Sequence, residues 1–203
     1  MKNILNIVSS INGKASNSVK LSDKIISRIL EEHPGSKVVT HDLANRPFPH
    51  LEETYIISFA TPAENRTEEG NAALAHSDAA IKEVMDADII VIGVPIYNFS
   101  IPSTLKSWID HVVRAGVTFN YENGVPTGHV KGKKVYLAFA SGAVFSEGPY
   151  KSYDFAEPYL KAVLGFIGIT DITSFRIEGI KMPGVAEHAW EKVGTTVEAY
   201  PFA

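Results

Sequence analysis

Cysteine is absent from the 203-residue chain. That excludes disulfides, thiolate metal sites and a cysteine nucleophile. A surplus of one charge is missing too. Nineteen Lys and Arg face 23 Asp and Glu, for a formal net charge of -4. Such a balance gives no basic surface for nucleic acid or an anionic membrane. No apolar run approaches the ~18 residues of a membrane span. Met1-Lys2-Asn3-Ile4-Leu5 lacks the long apolar core and small-residue cleavage site of a secretion signal. The expectation is a cytoplasmic protein with no nucleic-acid or membrane partner.

Several chemical signatures are also missing. No G-x-G-x-x-G or lysine-ending nucleotide loop occurs, which disfavours a dinucleotide fingerprint and an ATPase. The seven histidines show no metal spacing, and Ser141-Gly142 lacks the G-x-S-x-G elbow of a hydrolase. Asp86 and Asp88 precede a strand, at its wrong end for catalysis. Lys131, Lys133 and Lys134 read as a solvated turn.

What is present is an alternation of strands and helices. Ile4 to Val8 is a short apolar run. Leu21, Ile25 and Ile29 then recur at helical spacing and stop at His33-Pro34-Gly35. Val38 to Leu43 is a second strand. Asn45 to Gly70 reads as an excursion with short helices, and Glu69 to Met85 as a long helix. Ile89 to Val94 is wholly apolar. A helix from Ser103 to Arg114 shows one apolar face at Leu105, Trp108, Ile109 and Val112. Thr118 to Gly128 carries Asn-Gly and Pro signals of a hairpin-like excursion. Val135 to Ala140 is a fourth strand and Ile172 to Ile177 an edge strand. Between these two, Phe155, Tyr159, Val163, Phe166 and Ile167 mark a fifth helix. Val185, Ala189, Val193 and Val197 mark the last. The length suits one domain, residues 1–203. The pattern predicts an α/β protein with a doubly wound five-stranded parallel sheet, order 2-1-3-4-5, in three layers α/β/α.

In such sheets ligands bind beyond the carboxyl ends of the strands, at the switch point between strands one and three. Three loops meet there. The first, Ser9 to Ser18, offers short donors before a helix N-terminus, a setting that suits a phosphate. The same serines serve equally as a helix cap, the commoner use. The second, Pro95-Ile96-Tyr97-Asn98-Phe99-Ser100-Ile101-Pro102, places an amide between two aromatics in a turn framed by prolines. It suits a flat ring with a polar edge, with core packing as the alternative. The third, Ser141-Gly142-Ala143-Val144, has small residues that let backbone amides approach a ligand.

Four stretches together carry a family resemblance. They are Ser9-Ser10 with Ser16-Asn17-Ser18, Pro95 to Phe99, Arg114-Ala115-Gly116-Val117-Thr118-Phe119, and Leu164-Gly165-Phe166-Ile167-Gly168-Ile169-Thr170-Asp171. Over essentially its whole length the chain resembles the FMN-dependent NADH-azoreductases, also called FMN-dependent NADH:quinone oxidoreductases. The resemblance implies a flavodoxin-like homodimer with one FMN per subunit. It implies that Ser10, Ser16, Asn17 and Ser18 hold the phosphate. Pro95, Ile96, Tyr97, Asn98 and Phe99 would hold the ring edge. Ser141, Gly142, Ala143 and Val144 would approach the flavin from the other side, and Phe119 and Tyr121 would line an acceptor pocket, of their own or a partner subunit, with packing of the hairpin as the alternative. Asn17 stands where the family has glutamine, Ile96 where it has methionine, and Gly142-Ala143-Val144 where it has arginine-glycine-glycine. The implied activity is two-electron transfer from NADH or NADPH, through FMN, to quinones and azo compounds by a ping-pong mechanism. The FMN would carry the hydride chemistry, so no catalytic side chain or metal is implied. The alternatives are a flavodoxin-type electron carrier, a non-catalytic flavin-binding regulatory module and, outside flavins, a phosphate-ester enzyme.

Overall fold

A computed structural model describes residues 1–202. Five parallel strands form one sheet: β1 (Asn3–Val8), β2 (Lys37–Asp42), β3 (Ile89–Pro95), β6 (Lys134–Ala140) and β7 (Asp171–Ile177). Their order is β2-β1-β3-β6-β7. Counting only these five, that is the expected 2-1-3-4-5. The intervening β4 (Phe119–Glu122) and β5 (Val125–Gly128) form a separate antiparallel ribbon.

Helices cover both faces, and strand alternation assigns side chains to each. Ile90, Ile92 and Val94 of β3, with Val135, Leu137 and Phe139 of β6, enter one core. There they meet α3 (Glu68–Asp86), α4 (Ser103–Val112) and α5 (Ala156–Phe166). Ile89, Val91, Tyr136 and Ala138 face the opposite core, against α1 (Asn17–Glu32) and α6 (Ala186–Ala199). Burial on both faces explains why β3 reads as an unbroken apolar run. The excursion between β2 and α3 contains α2 (Glu53–Ala60) and a short 3-10 turn at Ala63–Asn65. None of the described helices is long and apolar enough to cross a membrane.

Helix ends differ from the sequence reading by local backbone geometry. α1 starts at Asn17, because Ser16 is extended (φ -67°, ψ 136°) and the helix begins directly after it. Asn17 and Ser18 therefore belong to the first turn and not to the loop. α4 ends at Val112, since Val113 leaves helical space at ψ 89°, and Arg114 lies outside. Arg114 is instead buried, with its guanidinium on Ser77 and Asp78.

Two close approaches fix the start of α1 and the ribbon. At Gly93 of β3 a Cβ would lie 2.9 Å from Ser22 Oγ and 3.4 Å from the Ser18 carbonyl. A Cβ there would displace the Ser22 side chain and crowd the first turn of α1, so glycine lets the helix rest close to the strand end. At Gly128 a Cβ would fall 2.1 Å from the Ile167 carbonyl carbon, so the ribbon is pressed onto the end of α5. The Val130 N–H donates to the Ile167 carbonyl at 2.9 Å beside this contact.

Gly128→Ala forces backbone against backbone, which cannot yield as a side chain does. The expected cost is about 1–3 kcal/mol. For a chain of this size the melting midpoint falls by roughly 2–4 °C for each kcal/mol. A melting curve identical to wild type would show that the ribbon is not held by this contact.

Candidate functional site

A cleft of about 450 Å³ opens at the carboxyl ends of β1, β3 and β6. That is room enough for a cofactor-sized ligand. Its walls come from Asn12 and Ala15 to Asn17, from Pro95 to Phe99, from Ala140 to Ala143, and from Phe145, Ile180 and Lys181.

The first wall is the N-terminus of α1. Ser16 makes no side-chain cap, and the first helical bond runs from the Lys20 N–H to the Ser16 carbonyl. The N–H groups of Asn17, Ser18 and Val19 find no acceptor among the described residues. The capping reading therefore fails for Ser16. Its hydroxyl pairs instead with Ser18 Oγ at 3.0 Å, both buried. Asn17 Oδ1 accepts from Trp190 Nε1 at 3.1 Å, which leaves the amide NH₂ as the polar end available to the cleft. The result is a cluster of donors at the positive end of a helix.

The second wall is a strained turn. Asn98 and Phe99 both have positive φ, 48° and 72°. Tyr97 and Ser100 exchange N–H to carbonyl bonds across them, at 3.0 and 3.1 Å. Two central residues at positive φ define a two-residue turn that ordinarily asks for Asn-Gly. Asn98 suits it, but a bulky Phe99 in this conformation costs on the order of 1–2 kcal/mol. Strain of this kind collects at functional sites. The N–H groups of Asn98 and Phe99 have no acceptor among the described residues. The two aromatics do not form a common sandwich. The Tyr97 hydroxyl lies 3.3 Å from Ser10 Oγ. The Phe99 ring packs against Phe145 and Tyr153, with centroids 6.1 and 5.3 Å apart.

The third wall has its carbonyls turned away. Ser141, Gly142 and Ala143 accept from the N–H groups of Ile180, Lys181 and Gly179, at 3.3, 3.0 and 3.2 Å. The Ser141 hydroxyl also donates to the Ala143 carbonyl at 2.7 Å. The N–H groups of Gly142, Ala143 and Val144 have no acceptor among the described residues. The next two, at Phe145 and Ser146, donate to Glu178 Oε1 at 2.9 and 3.1 Å. Glu178 is itself held by Arg176 at 3.0 Å, and Arg176 also grips Asp154 and Glu157. Burial alone would raise the Glu157 carboxyl. Hydrogen bonds from Lys161, Ser174 and Arg176 outweigh it and draw the group down to about 2.

Ten of the thirteen expected cofactor positions line the cleft: Ser16, Asn17, Pro95 to Phe99, and Ser141 to Ala143. Ser10 and Ser18 do not line it; they stand behind the wall, on Tyr97 and Ser16. Val144 faces a neighbouring cavity beside Val185. Phe119 is buried against the Phe166 ring at 4.5 Å, the hairpin-packing role, and Tyr121 is 60% exposed. Neither borders the cleft of its own chain. Sequence reasoning missed Asn12, Ala15, Ala140, Phe145, Ile180 and Lys181. A fourth loop, after β7, ends on the same side of the sheet, and Gly179 at φ 71° marked it.

Fold and cleft define a doubly wound flavodoxin-like protein with a cleft at the switch point. A family model described as flavodoxin-like fold matches residues 2–200. The FMN-dependent NADH:quinone oxidoreductase of Herminiimonas arsenicoxydans is 48% identical over 90% of this chain and 89% of its own. A protein of the same name, numbered 1, from Rhizobium etli is 44% identical over the full length of both. The crystal structure of an azoreductase from Bacillus anthracis superposes with a TM-score of 0.87 at 32% identity, covering 98% of this chain and 96% of that one. The chain thus belongs to the flavodoxin-like family that holds the FMN-dependent NADH:quinone oxidoreductases.

The Arg176 cluster has a pH signature. The Glu157 carboxyl is depressed in the fold, from an ordinary 4.5 to about 2. Its stabilising contribution is therefore complete above about pH 4.5 and fades as pH falls toward 2. Urea midpoints of wild type and Glu157→Gln should differ at pH 6 and converge on acidification. A gap that stays constant with pH would refute the linkage.

Proposed function

We propose that this protein is an FMN-dependent oxidoreductase that passes two electrons from NADH to quinones, with azo compounds as further acceptors. The observation that carries the reading is the donor-rich character of the cleft. Free N–H groups at the start of α1, in the Asn98-Phe99 turn and at Gly142 and Ala143 border one slot. FMN presents acceptors to match: a phosphate dianion at one end, and ring carbonyls and nitrogens at the other. The residues present therefore fit the cofactor.

Asn17, Ser18 and Val19 N–H groups, with the Ser16 hydroxyl, would take the phosphate. Ser18 supports Ser16 from behind, and Ser10 supports Tyr97. Asn98 and Phe99 N–H groups would fix the ring edge. Bound FMN supplies the acceptance of hydride and its onward delivery as two electrons. The chain's part is to orient the ring and exclude water from one face. One slot for donor and acceptor in turn supports ping-pong kinetics, with NADH released as NAD+ before the acceptor enters. The names of the relatives favour NADH over NADPH as donor.

A homodimer is part of this reading. Ile56 and Ile57 on α2 are 54% and 57% exposed, and Val125 on the ribbon is 62% exposed. A partner covering these apolar surfaces would also carry its own ribbon, with Tyr121, toward a neighbouring cleft.

Ser16→Ala should weaken FMN binding about tenfold or more, the scale of one charge-assisted hydrogen bond. Riboflavin, which lacks the phosphate, should be little affected; equal losses for both ligands would remove the phosphate role. For the turn, Asn98→Gly is the cleaner variant, because glycine keeps φ 48° without strain. It should retain FMN through the backbone N–H groups. Anaerobic stopped-flow bleaching by NADH, then reoxidation by benzoquinone, should still run as two separable half-reactions. Reoxidation that requires NADH and quinone together would exclude ping-pong transfer.

A further inference from the structure

We infer that Lys181 sets the charge balance of the cleft, and that its ammonium stabilises the negative charge the flavin ring gains on reduction. Lys181 is the one charged side chain among the described residues that line the cleft. Its alkyl stem lies along Gly142, whose missing Cβ would meet Lys181 Cδ at 3.3 Å, Cγ at 3.5 Å and Cβ at 3.7 Å. Its backbone N–H is fixed to the Gly142 carbonyl at 3.0 Å. The stem is thus held at both levels by the loop that carries the free N–H groups of Gly142, Ala143 and Val144. Its ammonium enters none of the lysine ion pairs among the described residues.

Two features assign this charge to the ring and not to the phosphate. The phosphate end already has a helix N-terminus with unbonded N–H groups and the Ser16 hydroxyl. Lys181 stands instead on the third wall, where the Ser141, Gly142 and Ala143 carbonyls are all turned outward to Gly179–Lys181. A wall of N–H groups with one cation is selective for charge that appears during turnover. Hydride from NADH carries two electrons and one proton to the ring and releases NAD+. The ring therefore gains one negative charge until solvent protonates it. A cation near that charge raises the potential at which the ring accepts electrons. Replacing Gly142 by any residue with a side chain would crowd the lysine stem, so the glycine and the lysine act as a pair.

The inference rests on the FMN reading, and its test separates the two. The two-electron midpoint potential of bound FMN is measured in wild type, Lys181→Met and Lys181→Arg, together with the affinities for FMN and riboflavin. Lys181→Met keeps the stem and removes the charge. It should bind reduced flavin about tenfold less tightly relative to oxidised flavin, a fall of about 30 mV in the potential. Lys181→Arg should restore it, and the preference for FMN over riboflavin should not move. An unchanged potential in Lys181→Met would overturn the assignment while leaving FMN binding intact. So would a loss of FMN affinity with riboflavin affinity preserved, which would give the charge to the phosphate. Wild-type protein that takes up no FMN would sink both readings.

Discussion

The contact between the first turn of α1 and Gly93 is the constraint on which the site depends. The helix packs on β3 with no room for a Cβ. Ser9, at the end of β1, donates its hydroxyl to the Gly93 carbonyl at 2.7 Å and ties the start of the first loop to the same residue. The α1 N-terminus is thereby held above the strand ends with its first N–H groups unbonded. A freely capped helix would have satisfied them internally. Here the buried serines bond to each other, and the positive end of the helix is left to the cleft.

The other two walls reach the same result by different means. The Asn98-Phe99 turn accepts backbone strain, and its framing pair of bonds uses Tyr97 and Ser100, not the central residues. The Gly142–Val144 loop spends its carbonyls on the segment after β7. Arg176 then anchors that segment through Glu178, which also takes the two N–H groups following the loop. Three local solutions give one surface with donors and few acceptors. Such a surface is preorganised for acceptor-rich ligands and needs no rearrangement to meet them.

The fold was legible because both faces of β3 and β6 are buried. Continuous apolar runs between amphipathic helices leave few arrangements of a parallel sheet. The Asn123-Gly124 turn was legible for a different reason: both residues adopt the positive φ that this dipeptide favours, 53° and 81°. Most of the first two walls could also be read, because those loops follow strands one and three at the switch point. Orientation could not. Nothing in Ser16-Asn17-Ser18 announces that Asn17 is engaged by Trp190, 173 positions later. Ser10, Ser18 and Val144 belong to the expected loops but stand one layer behind the cleft surface or beside it. Phe119 was an aromatic in a hairpin, and burial against Phe166 claimed it. Lys181 was hidden by its distance from the switch point in sequence, although β7 ends on the same side as β6.

The hydrogen bond from Trp190 to Asn17 gives the molecule an optical handle on its own site. The chain has two tryptophans. Trp108 lies in the core and is 1% exposed, so its surroundings do not alter with the state of the cleft. Trp190 is partly buried, and its indole N–H ends on Asn17, a residue of the cleft's first wall. Any ligand that draws on the Asn17 amide also changes the polarity felt by that indole. Intrinsic emission therefore carries a static background from Trp108 and a variable component from Trp190, with no dye or label added.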